Sequence, residues 1–305
     1  MNEQTSAPLS GIIVPLATPL LSNDALDVAA LERLLEHVID GGVQGVFLLG
    51  TCGEGPSLGY RLRRELVTHA CRQVRGRVRV LASITDTSAA ESAAFAGLAA
   101  EAGADAAVLA PPYYLPLSQI ELVEYVVRRL DECPLPLVLY NMPELTKMAF
   151  EPATVRRLMD EPAIVGLKDS SGDIDYFAEL CNMKRQRADW SLLMGPEHLL
   201  AESIALGGSG GVAGGANILP ELFVRIYEAA VGDGKGLVEL VAQAERLGEI
   251  YLTESLSAAS VIKGLKQALA CLGIGNGCVA EPLGEMSAEG KQRIAAIVSE
   301  VAHEN

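Results

Sequence analysis

Short apolar runs that end in glycine or a polar residue recur down the chain, at residues 11–17, 45–50, 80–84, 106–110, 137–141, 164–168, 192–195 and 211–214. Their starts lie about 28 residues apart on average, room for one strand, one helix and two short loops. Between them the apolar positions follow a helical period. Over residues 28–40, Leu31, Leu34, Leu35 and Val38 share one face, while Glu32, Arg33 and Glu36 fall elsewhere. Residues 121–131, 153–159, 176–183 and 219–230 follow the same rule. Eight strand–helix units predict an α/β protein of the (β/α)8 TIM-barrel class over residues 1–232. The rival is a doubly wound open sheet, which normally uses fewer strands and often carries a Gly-rich phosphate turn after the first. Here that turn reads TPLLSND. Residues 233–305 read as a helical extension packed on the barrel, with helices around 237–251, 258–272 and 287–303.

Composition narrows the function classes. Hydrophobic residues make up 50% of the chain and charged residues 21%, as in a soluble protein with a large core. A formal net charge of −15 argues against a nucleic-acid partner, which needs a basic surface. Cys52, Cys71, Cys133, Cys181, Cys271 and Cys278 show neither CxxC nor Cys-x-His spacing, so no disulfide framework and no metal site is expected. The opening MNEQTSAPLS lacks a basic stretch followed by an apolar one, and no run is long enough to span a bilayer. The expected setting is the cytoplasm, away from membranes.

Four segments at strand ends carry candidate chemistry. Lys168, one of seven lysines, closes the apolar run AIVGLK. The C-terminal end of a barrel strand opens into the active-site mouth. Burial strips an ammonium of hydration and favours its neutral, nucleophilic form, which attacks a ketone to give an iminium. The alternative is a lysine that extends its head to solvent from a strand end. Tyr140 ends the preceding strand; its phenol can shuttle protons, or simply pack. Gly50-Thr51-Cys52-Gly53-Glu54 is either a nest of backbone N–H groups suited to a carboxylate or a plain turn. Pro111-Pro112-Tyr113-Tyr114 is a stiff aromatic loop, an oligomer contact or a surface patch.

In this order the segments resemble the dihydrodipicolinate synthase and N-acetylneuraminate lyase superfamily, along nearly the whole chain. The resemblance begins at GIIVPLATP (residues 11–19), runs through GTCGE, Pro112-Tyr-Tyr114, YNMP (140–143) and GLK (166–168), and ends at GVAGGAN (211–217). It implies that Lys168 forms a Schiff base with pyruvate and that Tyr140 shuttles protons. It further implies that Thr51 and Cys52 hold the pyruvate carboxylate and that the Val212 backbone lines the pocket. Tyr114 would reach a neighbouring subunit's site and relay protons to Tyr140. A homotetramer built as a dimer of dimers, with no metal or organic cofactor, completes the implied picture.

Two departures bear on substrate. Cys52 stands where the synthases carry a second threonine, leaving Thr51 as the hydroxyl relay. Leu145 stands where they place an arginine that clamps the carboxylate of aspartate semialdehyde, and an aliphatic side chain cannot replace a bidentate guanidinium. Leucine there is similar to sialic acid lyases and 2-keto-3-deoxy sugar acid aldolases. Ser170, Glu197 and His198 match hydroxyl-reading positions of those enzymes; Glu197 and His198 read equally as an ordinary first helical turn. The leading expectation is a class I aldolase that joins or splits pyruvate and a hydroxyaldehyde. Alternatives are the dihydrodipicolinate (4-hydroxy-tetrahydrodipicolinate) synthase reaction, a dehydratase or hydratase-aldolase, and a non-catalytic 2-oxo acid binding protein.

Overall fold

The computed structural model describes residues 8–254 and 257–302. The N-terminal leader reading falls largely on residues 1–7, and the end of the last expected helix on His303; these lie outside the described residues.

Eight parallel strands close into a barrel. They are β1 (Gly11–Pro15), β2 (Gly45–Leu48), β3 (Arg79–Ser83), β4 (Ala106–Leu109), β5 (Leu137–Asn141), β6 (Ile164–Asp169), β7 (Ser191–Met194) and β8 (Gly210–Val212). Each pairs with its sequence neighbour, and β8 pairs with β1 through Ile13↔Val212. Side chains alternate in and out along a strand. Thus Ile13, Phe47, Leu81, Val108, Val138 and Leu193 fill the interior, while Ile12, Val14, Val46, Leu139 and Leu167 meet the surrounding helices. The strands are buried on both faces, which is why they appear as continuous apolar runs.

The outer ring comprises α1 (Val28–Asp40), α2 (Tyr60–Val74), α3 (Ala89–Ala102), α4 (Gln119–Glu132), α5 (Pro152–Leu158), α6 (Ile174–Lys184), α7 (Leu200–Ala205) and α8 (Pro220–Val231). Their starts are chemically marked. The Asp27 carboxylate accepts the Ala30 N–H at 2.9 Å, and Ser118 with Glu121 forms a full capping box on α4. Such a cap contributes about 1 kcal/mol. On α1, Leu31, Leu34, Leu35 and Val38 are the buried face, as the period predicts; each fully buried leucine contributes about 1.5–3 kcal/mol.

Three further helices follow the barrel: α9 (Leu237–Gly248), α10 (Ala258–Cys271) and α11 (Ala288–Ala302). A 3-10 turn, Glu249–Leu252, lies between α9 and α10. No helix among the described residues is long and apolar enough to cross a membrane, and all six cysteines are free.

Candidate active site

Strands β5 and β6 place Tyr140 and Lys168 side by side as register partners. The Lys168 Nζ lies 4.1 Å from the centroid of the Tyr140 ring and 5.2 Å from that of Phe47. The Phe47 and Tyr140 rings meet edge to face, with centroids 6.0 Å apart at 89°. Only 6% of Lys168 is exposed, so the amine is held against ring faces and largely out of water, in cation–π contact while protonated.

One residue further along each strand, Asn141 and Asp169 lie on the opposite face and lock the pair from behind. Asn141 Nδ2 donates to Asp169 Oδ1 at 2.8 Å, and the Ser171 hydroxyl donates to Oδ2 at 2.9 Å. The Phe150 N–H donates to Asn141 Oδ1 at 3.1 Å. Burial pushes the Asp169 carboxyl above the usual carboxylate range, while these donors pull it back. The network fixes the strand ends that carry Tyr140 and Lys168.

The turn after β2 brings Thr51 to the same spot, its Oγ1 3.3 Å from the Tyr140 phenol. The turn closes on itself: Gly53 and Gly55 N–H donate to the Gly50 carbonyl, and Glu54 N–H donates to that of Thr51. Within the expected nest of residues 50–54, the Gly53 and Glu54 N–H groups are thus used inside the turn and are not free for a carboxylate. A side chain at 55 would put Cβ 2.1 Å from the Leu49 carbonyl oxygen, so the tight turn demands glycine. Burial pushes the Cys52 thiol up to about 11, with nearby Lys168 acting downward and Glu197 upward.

These groups line one cavity of about 660 Å³ at the barrel mouth. Val212 of β8 forms part of its wall, and Ser170, Glu197 and His198 line it from the loops after β6 and β7. Glu197 is already engaged. Its Oε1 accepts the Gly215 N–H at 2.6 Å and the Tyr251 hydroxyl at 3.0 Å. Burial pushes its carboxyl above the usual range, and these two donors oppose the shift. His198 is exposed at the rim. Leu145 is not brought to the lining, and Tyr114, expected at a neighbouring subunit's site, lies at the surface. Tyr114, at φ 87°, is 91% exposed, and Leu145 is 39% exposed on the helical turn Pro143–Thr146. Met142 and Glu144 line the cavity beside it. Among the described residues no group of three or more His, Cys, Asp or Glu is placed to hold a metal ion.

Residues 8–301 match the sequence model of the Dihydrodipicolinate synthetase family. The chain belongs to this family. It is similar to the probable 2-dehydro-3-deoxy-D-pentonate aldolase YjhH of Escherichia coli (strain K12), with 32% identity over 295 residues that cover 95% of this chain and 96% of the relative. The structure of dihydrodipicolinate synthase from Bacteroides thetaiotaomicron superposes with a TM-score of 0.93, at 46% identity, over 96% of this chain and 99% of that one. YagE, a prophage protein of E. coli K12 solved in complex with pyruvate, superposes with a TM-score of 0.90, at 26% identity, over 97% and 99% of the two chains.

Within this family member the C-terminal helices are part of the site. Val241, Ala244, Tyr251 and Val261 close one side of the cavity. Tyr251 is the main residue that sequence reasoning missed. The helix expected around 237–251 ends at Gly248, so Tyr251 sits on a short 3-10 turn, and its partner Glu197 is 54 residues away in sequence.

Proposed function

We propose that this protein is a class I aldolase that forms a Schiff base between Lys168 and pyruvate and joins or splits pyruvate and an uncharged hydroxyaldehyde. The observation that carries the reading is the convergence of Lys168, Tyr140 and Thr51 in one cavity, with the lysine buried against aromatic rings. In this reading the neutral Lys168 amine attacks C2 of pyruvate, and the carbinolamine loses water to give an iminium. Tyr140, having given its proton to the departing hydroxyl, takes a proton from C3 and so leaves an enamine that adds to the aldehyde carbon. Tyr140 protonates the new alkoxide, and water then releases the 2-keto-3-deoxy acid and restores the amine. Cleavage is the reverse. Thr51 and Cys52 hold the carboxylate, the Val212 backbone lines the pyruvate pocket, and Ser170, Glu197 and His198 face the hydroxylated arm. Tyr114 serves the site of a neighbouring subunit in a homotetramer.

The charge of the cavity supports this choice of aldehyde. Its lining includes Glu144, Glu197, Glu245 and Glu249, and Lys168 is the single lysine or arginine among the described lining residues. A carboxylate-bearing acceptor would find no guanidinium there. The second reading, dihydrodipicolinate synthase activity, is favoured by the 46% identity to the B. thetaiotaomicron enzyme. Pyruvate release from a panel of 2-keto-3-deoxy pentonates, 2-keto-3-deoxy hexonates and sialic acid tests the proposal. Release from at least one sugar acid, outpacing condensation of pyruvate with aspartate semialdehyde, is expected. Condensation alone would favour the second reading.

A further inference from the structure

The Glu54 carboxylate is buried at the end of the Thr51–Cys52 turn, 212 residues in sequence from its counter-ion. Its Oε1 accepts from the Lys266 ammonium of α10, and its Oε2 accepts the Ala280 N–H at 2.7 Å. The side chains of Lys266 and Glu54 are 4% and 0% exposed. Glu54 itself sits in the left-handed region at φ 56°. On the near side of the same turn, the Thr18 hydroxyl donates to the Gly53 carbonyl at 2.7 Å.

A buried ion pair contributes little net stability compared with an apolar pair of the same shape, because both charges lose their water. What it supplies is geometry, since a carboxylate with two fixed donors has one favourable place. Burial pushes the Lys266 ammonium below its ordinary range, and the Glu54 carboxylate opposes this. The turn they anchor carries Thr51, 3.3 Å from Tyr140.

We infer that Glu54 and Lys266 are positioning residues through which the C-terminal helices set the height of the Thr51–Cys52 turn in the pyruvate pocket. This rests on the reading above, in which that turn holds the pyruvate carboxylate. Neither residue touches the substrate; they act through the backbone between Gly50 and Glu54. A misplaced turn weakens capture of pyruvate while leaving the Lys168 amine chemically intact.

The test is Glu54→Gln with Lys266→Met in one chain, which removes both charges and keeps an acceptor for the Ala280 N–H. The readout is borohydride labelling of Lys168 as a function of pyruvate concentration, beside a thermal melt. The half-saturating pyruvate concentration should rise about ten- to a hundredfold, with labelling at saturation still one adduct per chain. A folded double variant with unchanged half-saturation would overturn the inference and leave the pair as a structural staple. Should the double variant fail to fold, Thr18→Val loosens the same turn from its other side; an unchanged half-saturation in that folded variant is equally fatal. Absence of any adduct in the unmodified protein would instead defeat the Schiff-base reading itself.

Discussion

Tyr140 and Lys168 face each other across the β5–β6 ladder, and the lysine Nζ stands 4.1 Å from the centre of the tyrosine ring. Adjacent strands hold them there by backbone hydrogen bonds, and the Asn141–Asp169 bond on the opposite face removes the freedom of the strand ends to drift. In the proposed mechanism the nucleophile and the proton carrier are thus aligned before any substrate arrives.

The Tyr140 phenol should matter to proton transfer more than to binding. Tyr140→Phe is expected to keep pyruvate labelling of Lys168 while lowering turnover by about 10²–10⁴-fold. Thr51→Val removes one hydroxyl contact to that phenol and should cost less, about two- to tenfold. Steady-state kinetics on the two variants check this, and wild-type turnover in Tyr140→Phe would refute the assigned role.

Much of this was legible in the sequence because parallel barrel strands are buried on both faces. Residues 137–141 were outlined to the residue and the other seven strands to within two residues, the runs 11–17, 45–50 and 211–214 extending two residues past the ladder end. Helix α3 was not legible, because its alanine-rich stretch has faces that scarcely differ in polarity. The hairpin of Leu20–Ser22 and Ala25–Leu26 is too short to leave a pattern. Within the site, strand-end residues such as Lys168 could be placed by topology alone. Tyr251 and the Glu54–Lys266 pair could not, since they depend on how the C-terminal helices pack onto the mouth.

Cys52 provides a pH signature. Its thiol is pushed from 9.0 up to about 11 by burial, and only the thiolate is nucleophilic. Alkylation of Cys52 by iodoacetamide, followed by peptide mass spectrometry, should be slow at neutral pH and should keep rising until about pH 11. The native state holds this proton where the unfolded state has lost it, so the group's contribution to stability is present below pH 9.0 and declines between 9.0 and about 11. Cys52→Ser should make that decline shallower without removing it, because burial also raises the Cys71, Cys133 and Cys181 thiols. Rapid neutral-pH labelling of Cys52 in the folded protein would contradict the assignment.

Leu145 sets the expectation for acceptor choice. A lost bidentate contact to a carboxylate costs about 2–5 kcal/mol when buried, roughly 30- to 4,000-fold. The position is 39% exposed, so the lower part of that range applies. Leu145→Arg should raise condensation with aspartate semialdehyde by about tenfold or more and weaken sugar-acid cleavage, as measured by kcat/KM for each. Efficient condensation by the unmodified protein would show that another group supplies the charge.

A single mass measurement decides whether Lys168 forms the Schiff base. The protein is incubated with pyruvate, reduced with borohydride, digested and mapped. One reduced three-carbon adduct per chain is expected, on Lys168, and none in Lys168→Ala, which should remain folded because the residue lines the mouth of the barrel. An adduct on Lys147 or Lys263 instead, or no adduct at saturating pyruvate, would contradict the Lys168 assignment.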